Sequence, residues 1–239
     1  MKKSALALGL CLALMPSMVS ADELIKAEDF PGHLGANVAL TTNYVFRGIS
    51  QTDDGIPSIQ GGIDWSHDFG VHANIWASNV KFTDASVEVD YTLGFGRSID
   101  KFSYDISAIY YSYPGAASSL NYDYFEVQGS ASYDFDLFSV GAAINYSPDY
   151  FGGSDDGLYG KISLDVPIGK YFTLGGHVGY QSIDNNTAFG VPDYLEYGVG
   201  VSAQALGFDL NLAWTDTDHS SSECPDLCGN VVFTVSKSF

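Results

Sequence analysis

Apolar and polar residues alternate with a period of two along most of this chain. The C-terminal stretch shows the pattern clearly: Val231, Phe233, Val235 and Phe239 alternate with Val232, Thr234, Ser236 and Ser238, and the run ends on the last residue. A period of two sends successive side chains to opposite faces of a strand. Lys237 interrupts the apolar set. Eleven earlier segments repeat the pattern, over 37–47, 59–66, 71–78, 87–96, 102–110, 124–133, 138–146, 158–166, 172–181, 194–202 and 208–215. In the first, Val38, Leu40, Thr42, Tyr44 and Phe46 oppose Asn37, Thr41, Asn43 and Arg47. In the eighth, Leu158, Ile162, Leu164 and Val166 oppose Tyr159, Lys161, Ser163 and Asp165. One alternating segment is a weak signal, because soluble sandwiches alternate too. Twelve in succession, with apolar sets that often begin or end in Phe, Tyr or Trp, predict an all-β antiparallel transmembrane barrel of about 12 strands.

The connections alternate in length. Short ones fall at 66–70, 98–101, 134–137, 167–170 and 205–207; long ones at 51–57, 81–85, 114–121, 147–157, 182–192 and 216–230. Barrels of the outer membrane have short periplasmic turns and longer outer loops. With a periplasmic N-terminus, every short connection falls on the periplasmic side, and an even strand count returns the C-terminus there.

The first residues differ in kind. Lys2 and Lys3, an apolar stretch from Ala5 to Met15, and Val19-Ser20-Ala21 predict a signal peptide over 1–21. Residues 22–33 then form a polar periplasmic tail, and 34–239 the barrel. The apolar stretch is too short to span a bilayer as a helix, and no second such segment follows. A membrane protein without spanning helices must be a closed barrel.

Charge narrows the partners. The formal net charge is -19, and removal of Lys2 and Lys3 makes it -21. Phosphate backbones need Lys and Arg, so nucleic acid is excluded as a partner. The predicted inner face carries Asp64, Glu88, Asp90, Asp105, Glu126, Asp165, Glu196 and Asp209 against Arg47 and Lys161. Carboxylate-lined channels favour cations. The alternative is a lumen filled by paired carboxylates, since a charge in a closed interior must be paired. Twelve strands lie between the side-chain-filled eight-stranded barrels and the open sixteen-stranded ones. Small Gly and Ser residues on the inner face favour a narrow pore. Arg47 either clamps an anionic solute or pairs with lumen carboxylates, and the acidic excess favours pairing.

Cys224 and Cys228 are the cysteines left after signal removal, and an exported compartment predicts their disulfide. A bridge this short shapes a loop tip rather than holding the fold. The loop carboxylates Asp53–Asp54, Asp155–Asp156 and Asp216/Asp218 match no defined calcium loop, so no metal site and no cofactor are expected. Catalysis has little support: there is no nucleophile elbow and no His-Glu-x-x-His.

Asn37-Val38-Ala39-Leu40-Thr41-Thr42-Asn43-Tyr44-Val45-Phe46-Arg47-Gly48-Ile49-Ser50-Gln51, followed by Pro57 and Ile59-Gln60-Gly61-Gly62-Ile63-Asp64, resembles the opening of the TorF-type porins, also described by the Gcw_chp domain. The Val-Ser-Lys-Ser-Phe ending is also similar. The resemblance implies a barrel in the outer membrane of a Gram-negative bacterium and gives no solute or functional residues.

The expected function is passive diffusion of small hydrophilic solutes or ions, with mild cation preference, by a monomer or homo-oligomer. Its expected partners are outer-membrane lipid and lipopolysaccharide, the barrel-assembly machinery through the strand ending in Phe239, and the solutes. Two rivals stand beside it: a non-conducting barrel that anchors the envelope or presents loops, and, less favoured, a barrel hydrolase.

Overall fold

The computed structural model describes residues 31–53 and 56–239. The expected signal peptide, most of the polar tail and Asp54 lie outside the described residues. In chain order the strands are β1 (His33–Thr41), β2 (Val45–Phe46), β3 (Ile49–Ser50), β4 (Ser58–Ser66), β5 (Val71–Asn79), β6 (Val87–Ile99), β7 (Phe102–Ser112), β8 (Tyr124–Asp134), β9 (Ser139–Ser147), β10 (Gly157–Ile168), β11 (Phe172–Ile183), β12 (Tyr194–Ala205), β13 (Phe208–Thr217) and β14 (Asn230–Ser238). All except β2 and β3 form one closed antiparallel barrel of 12 strands, each paired with its sequence neighbours. Strand β1 closes the ring by pairing with both β4 and β14.

The registers place the alternating sets on opposite faces. Large apolar side chains such as Ile63, Leu93, Ile106 and Ile162 point outward and are about 60% exposed. An apolar belt of this extent cannot face water in a stable protein and is what a membrane barrel presents to lipid. The inward set holds Asn74, Glu88, Asp90, Glu126, Gln181 and Glu196, all buried.

The barrel has two unlike ends. At the turn end, strands join by tight turns, as where Leu206 (φ 56°) and Gly207 (φ 78°) link β12 to β13. Two successive positive-φ residues match the right-handed twist of the flanking strands, and glycine adopts that conformation without a Cβ clash. The start of β1 lies there, with His33 opposite Ser66. So does Phe239, whose N–H donates to the Ala36 carbonyl at 2.8 Å. Lys237 points outward near this end, its ammonium 5.4 and 5.3 Å from the centres of the Phe208 and Phe239 rings. A lysine near an interface lays its stem on apolar surface and keeps its charge in water, so it does not break the belt. The opposite, loop end carries the long connections.

One expectation is corrected. The first strand does not continue to Arg47; it ends at Thr41, and Tyr44 and Phe46 do not face lipid. The Thr42 N–H donates to the Phe233 carbonyl (3.0 Å), and its hydroxyl accepts from the Phe233 N–H (2.9 Å). Beyond this point the chain turns into the barrel mouth.

Candidate functional site

Residues 43–52 form a small hairpin folded into the lumen at the loop end. Strands β2 and β3 are its arms, and Arg47 and Gly48 are its tip, with φ of 48° and 81°. Two positive-φ residues define the two-residue turn that suits a hairpin. Holding a non-glycine residue left-handed costs about 1–2 kcal/mol, so an interaction of the Arg47 side chain must offset that cost. At Gly48 an added Cβ would lie 2.5 Å from Thr217 and 3.0 Å from Glu196, so no larger residue fits against the wall.

The Arg47 side chain is the centre of the closure. One terminal nitrogen donates to both Glu126 oxygens, at 2.9 and 2.7 Å. The other donates to Gln181 Oε1 at 2.7 Å and to the Tyr150 hydroxyl at 3.5 Å. The guanidinium lies 4.3 Å from the centre of the Tyr159 ring and 4.7 Å from that of Phe46. The Arg47 and Glu126 side chains are 3% and 1% exposed. Glu126 also accepts from Asn145 (3.0 Å) and Tyr111 (3.3 Å), so the ion pair has the added hydrogen bonds a dry environment requires. Burial pushes the Tyr150 hydroxyl up to about 12, so it stays neutral beside the pair. A space of about 20 Å³, room for a single water, is lined in part by Arg47, Gln128, Asn145, Tyr159 and Lys161.

The hairpin is held along its whole length. The Tyr44 hydroxyl donates to Glu88 at 2.7 Å. Asn43 donates to Asn230 (2.8 Å) and accepts from Ser50 (2.7 Å) and Thr52 (2.9 Å). The Ser50 N–H donates to the Leu227 carbonyl, and the Lys81 N–H to the Gln51 carbonyl, each at 2.8 Å. Aromatic rings pack around it. Tyr111 stacks on Tyr124 (4.3 Å), Tyr122 on Phe151 (4.6 Å), and Tyr44 meets Trp76 edge-on (5.5 Å).

The remaining lumen carboxylates fall into two groups. Near the loop end, Glu196 accepts from the Tyr159 hydroxyl (2.5 Å) and pairs with His177 (2.8 Å). Asp90 is fully buried, and neither of its carboxylate oxygens has a hydrogen-bond partner among the described residues. Towards the turn end, Asp105 bonds His72 (2.5 Å) and Ser107, and Asp64 accepts from Asn74 (2.7 Å) and Asn37 (3.1 Å). There the His72 and Asp105 side chains keep 12% and 20% of their exposure, so water reaches them. Asp165 is buried on the same face, and Asp209 accepts from Gln204 at the turn-end rim (2.8 Å).

The predicted residues therefore do not form one ring. Arg47 and Glu126 are in contact, and Glu88 is tied to the same hairpin through Tyr44. Glu196 lies close to the Gly48 backbone, while Asp64, Asp105 and Asp209 belong to the other half of the lumen. The room left by inner glycines is partly occupied: a Cβ on Gly94 would strike His72, and one on Gly179 would strike Glu196 and Tyr159. Sequence reasoning missed Gln181, Asn145, Tyr150 and the aromatic packing as parts of the site. The available signal was Tyr-Val-Phe-Arg-Gly-Ile-Ser, two short β-prone runs around an x-Gly turn, which is a hairpin pattern. Cys224 and Cys228 are joined in a disulfide within the last loop.

A family model described as a bacterial protein of unknown function, Gcw_chp, matches residues 26–239. The chain belongs to the Gcw_chp family. No curated protein sequence matches it. Among solved structures, this Gcw_chp barrel is similar to the KdgM porin, with a TM-score of 0.58 at 9% identity over 86% of this chain and 98% of that one. A KdgM porin in complex with disordered oligogalacturonate gives 0.56 at 8% identity, covering 86% and 97%. The NanC porin gives 0.53 at 8% identity, also covering 86% and 97%. At such identities the likeness is one of fold, and the Gcw_chp chain has the porin fold at nearly full length.

Proposed function

We propose that this protein is an outer-membrane channel for passive diffusion of small hydrophilic solutes or ions, shut at its loop end by the Arg47 hairpin in the conformation described. The observation that carries this reading is the lumen itself. It is polar along its length and reached by water from the turn end, and its closure is a loop rather than a wall strand. The porin fold of the barrel supports it. A plug made of one hairpin, bonded mainly through side chains, can leave without breaking the sheet.

The ion pair at the tip is neutral overall, so Arg47 and Glu126 give no selectivity while engaged. A mild cation preference rests instead on the water-reached carboxylates Asp64, Asp105 and Asp209. The outward apolar belt and the porin fold support a location in the outer membrane, where lipid and lipopolysaccharide would surround the barrel. The strand ending in Phe239 is the segment an assembly machinery would receive.

A second reading, a non-conducting barrel that presents its loops, is favoured by the dry loop end, where Arg47 is 4% exposed. A planar-bilayer recording under a potassium chloride gradient separates the two. Discrete steps with a cation-selective reversal potential are expected. A correctly folded barrel that stays silent would support the second reading, and anion-selective steps would remove the carboxylates from the selectivity argument.

A further inference from the structure

The last loop is fastened by chemistry that the diffusion role does not require. Cys224 and Cys228 close a five-residue ring containing Pro225, Asp226 and Leu227. Asp226 has a φ of 60° and Gly229, just outside the ring, 75°. A ring this small removes little chain entropy from the unfolded state, so global stability is a poor reason for the bridge. Its effect is local: it fixes where the Leu227 carbonyl points. That carbonyl accepts from the Ser50 N–H of the plugging hairpin (2.8 Å) and from the Asn230 side chain (2.9 Å). Asn230 in turn accepts from Asn43 at the base of the same hairpin (2.8 Å). One carbonyl inside the disulfide ring therefore holds the hairpin's returning arm directly and its entering arm through Asn230.

We propose that the Cys224–Cys228 bridge is a strap that holds the hairpin in the barrel mouth, and that opening it with a dithiol makes the closure a thiol-sensitive gate. The inference rests on the reading of the hairpin as the plug. Chemically, a thiolate of the dithiol attacks the sulfur of Cys228, the less buried of the two cysteines, the S–S bond breaks, and Cys224 leaves as a thiolate that takes up a proton. The reagent's second thiol then attacks the mixed disulfide and releases Cys228. The loop ends with two thiols, and the reagent with a cyclic disulfide that has supplied both electrons. The Pro225–Leu227 segment then samples other conformations, and the Ser50 amide loses its fixed acceptor.

The test is amide hydrogen exchange on the full folded barrel, with and without a small dithiol, read at Ser50 and at amides of the β10–β11 ladder. Loss of one hydrogen bond worth about 1 kcal/mol predicts roughly fivefold faster exchange at Ser50, with the ladder unchanged. The Cys224→Ser, Cys228→Ser double variant should match the reduced protein without reagent. Because reduction is done on protein already folded, a folding defect in the variant leaves the test intact. Unchanged Ser50 exchange in reduced protein would overturn the strap, whatever the conductance. Faster exchange accompanied by more frequent channel openings supports both the strap and the channel. Faster exchange in a barrel that stays silent supports the strap and counts against the channel.

Discussion

Both halves of the lumen carry inward carboxylates and hold them differently. At the loop end a carboxylate, Glu126, meets a guanidinium in a dry aromatic surround, and both partners are almost fully buried. At the turn end a carboxylate, Asp105, meets an imidazole and a hydroxyl with water still in reach. The strands alternate alike in both halves, but at the loop end their inward side chains include the rings of Trp76, Tyr111, Tyr124 and Tyr159. The hairpin adds its own cation, with Tyr44 and Phe46, to this upper half and leaves the lower half to water. An identical charge is therefore a latch in one place and a solvated wall group in the other.

The largest expected effect comes from Arg47→Asn. Asn tolerates the left-handed turn better than Arg, so the backbone is not strained, and only the side chain is lost. Breaking a buried pair from one side costs about 3–5 kcal/mol. Glu126 escapes that cost if the hairpin lifts and lets water in. Hydrogen exchange over 43–52 should rise by more than tenfold while the strand ladders keep their protection. Exchange confined to the ladders would mean that the pair holds the barrel rather than the plug.

Asp90→Asn should act in the opposite direction. It replaces a fully buried carboxylate that has no hydrogen-bond partner among the described residues with a neutral amide of similar shape. A dry, unpartnered carboxyl costs free energy whether it stays ionised or takes up a proton, so the amide should stabilise by about 1–3 kcal/mol, read as a higher denaturation midpoint of the refolded barrel. The same substitution at Asp64, which is half-buried and accepts from two amides, should instead destabilise by about 1 kcal/mol, because the new amide can accept only one of those hydrogen bonds. It should also move the reversal potential toward lower cation preference. Equal effects of the two variants on stability would erase the contrast between the halves.

The alternation made the strands legible, because each face of a barrel meets one solvent, lipid or lumen, and period two records that choice directly. Twelve barrel strands and their inward sets follow from it. The alternation from Val38 to Arg47, with only Ala39 and Val45 out of step, puts Arg47 at the outer end of the first strand. What the pattern could not carry is that the lumen has two environments. Tyr44 and Phe46 are as suitable for packing against Trp76 and Tyr111 as for facing lipid, and period two does not separate the two uses. Gly48 held the decisive information, since a positive-φ turn after Arg47 ends a wall strand. The pairing of Arg47 agreed with the acidic excess, but the partner, Glu126, lies 79 residues away and is brought there only by barrel closure.

A smaller effect tests the rim above the plug. His219 in the last loop packs on Tyr194 at 4.6 Å. Its imidazole is pulled below the ordinary value by burial, against the opposing pull of Glu223 and Asp218. The unfolded loop then binds the proton more readily than the folded one. This contribution to loop order is present above the ordinary histidine value of about 6.5 and is lost as the pH falls below it. Glu223, held below the ordinary carboxylate value by its hydrogen bonds from Ser220, adds a loss in the same direction at lower pH. Ser50 exchange, corrected for its intrinsic pH dependence, should rise about twofold or less between pH 7.5 and 5.5. The change should flatten in His219→Gln.

The most direct test of the account is a planar-bilayer comparison of the wild-type barrel with Arg47→Asn under identical salt. The account predicts rare or small steps for the wild type, and larger or more persistent ones for the variant, with the same sign of reversal potential because the turn-end carboxylates are untouched. Identical recordings from the two proteins, in a variant whose ladders remain protected, would contradict the claim that the Arg47 hairpin is what closes this lumen.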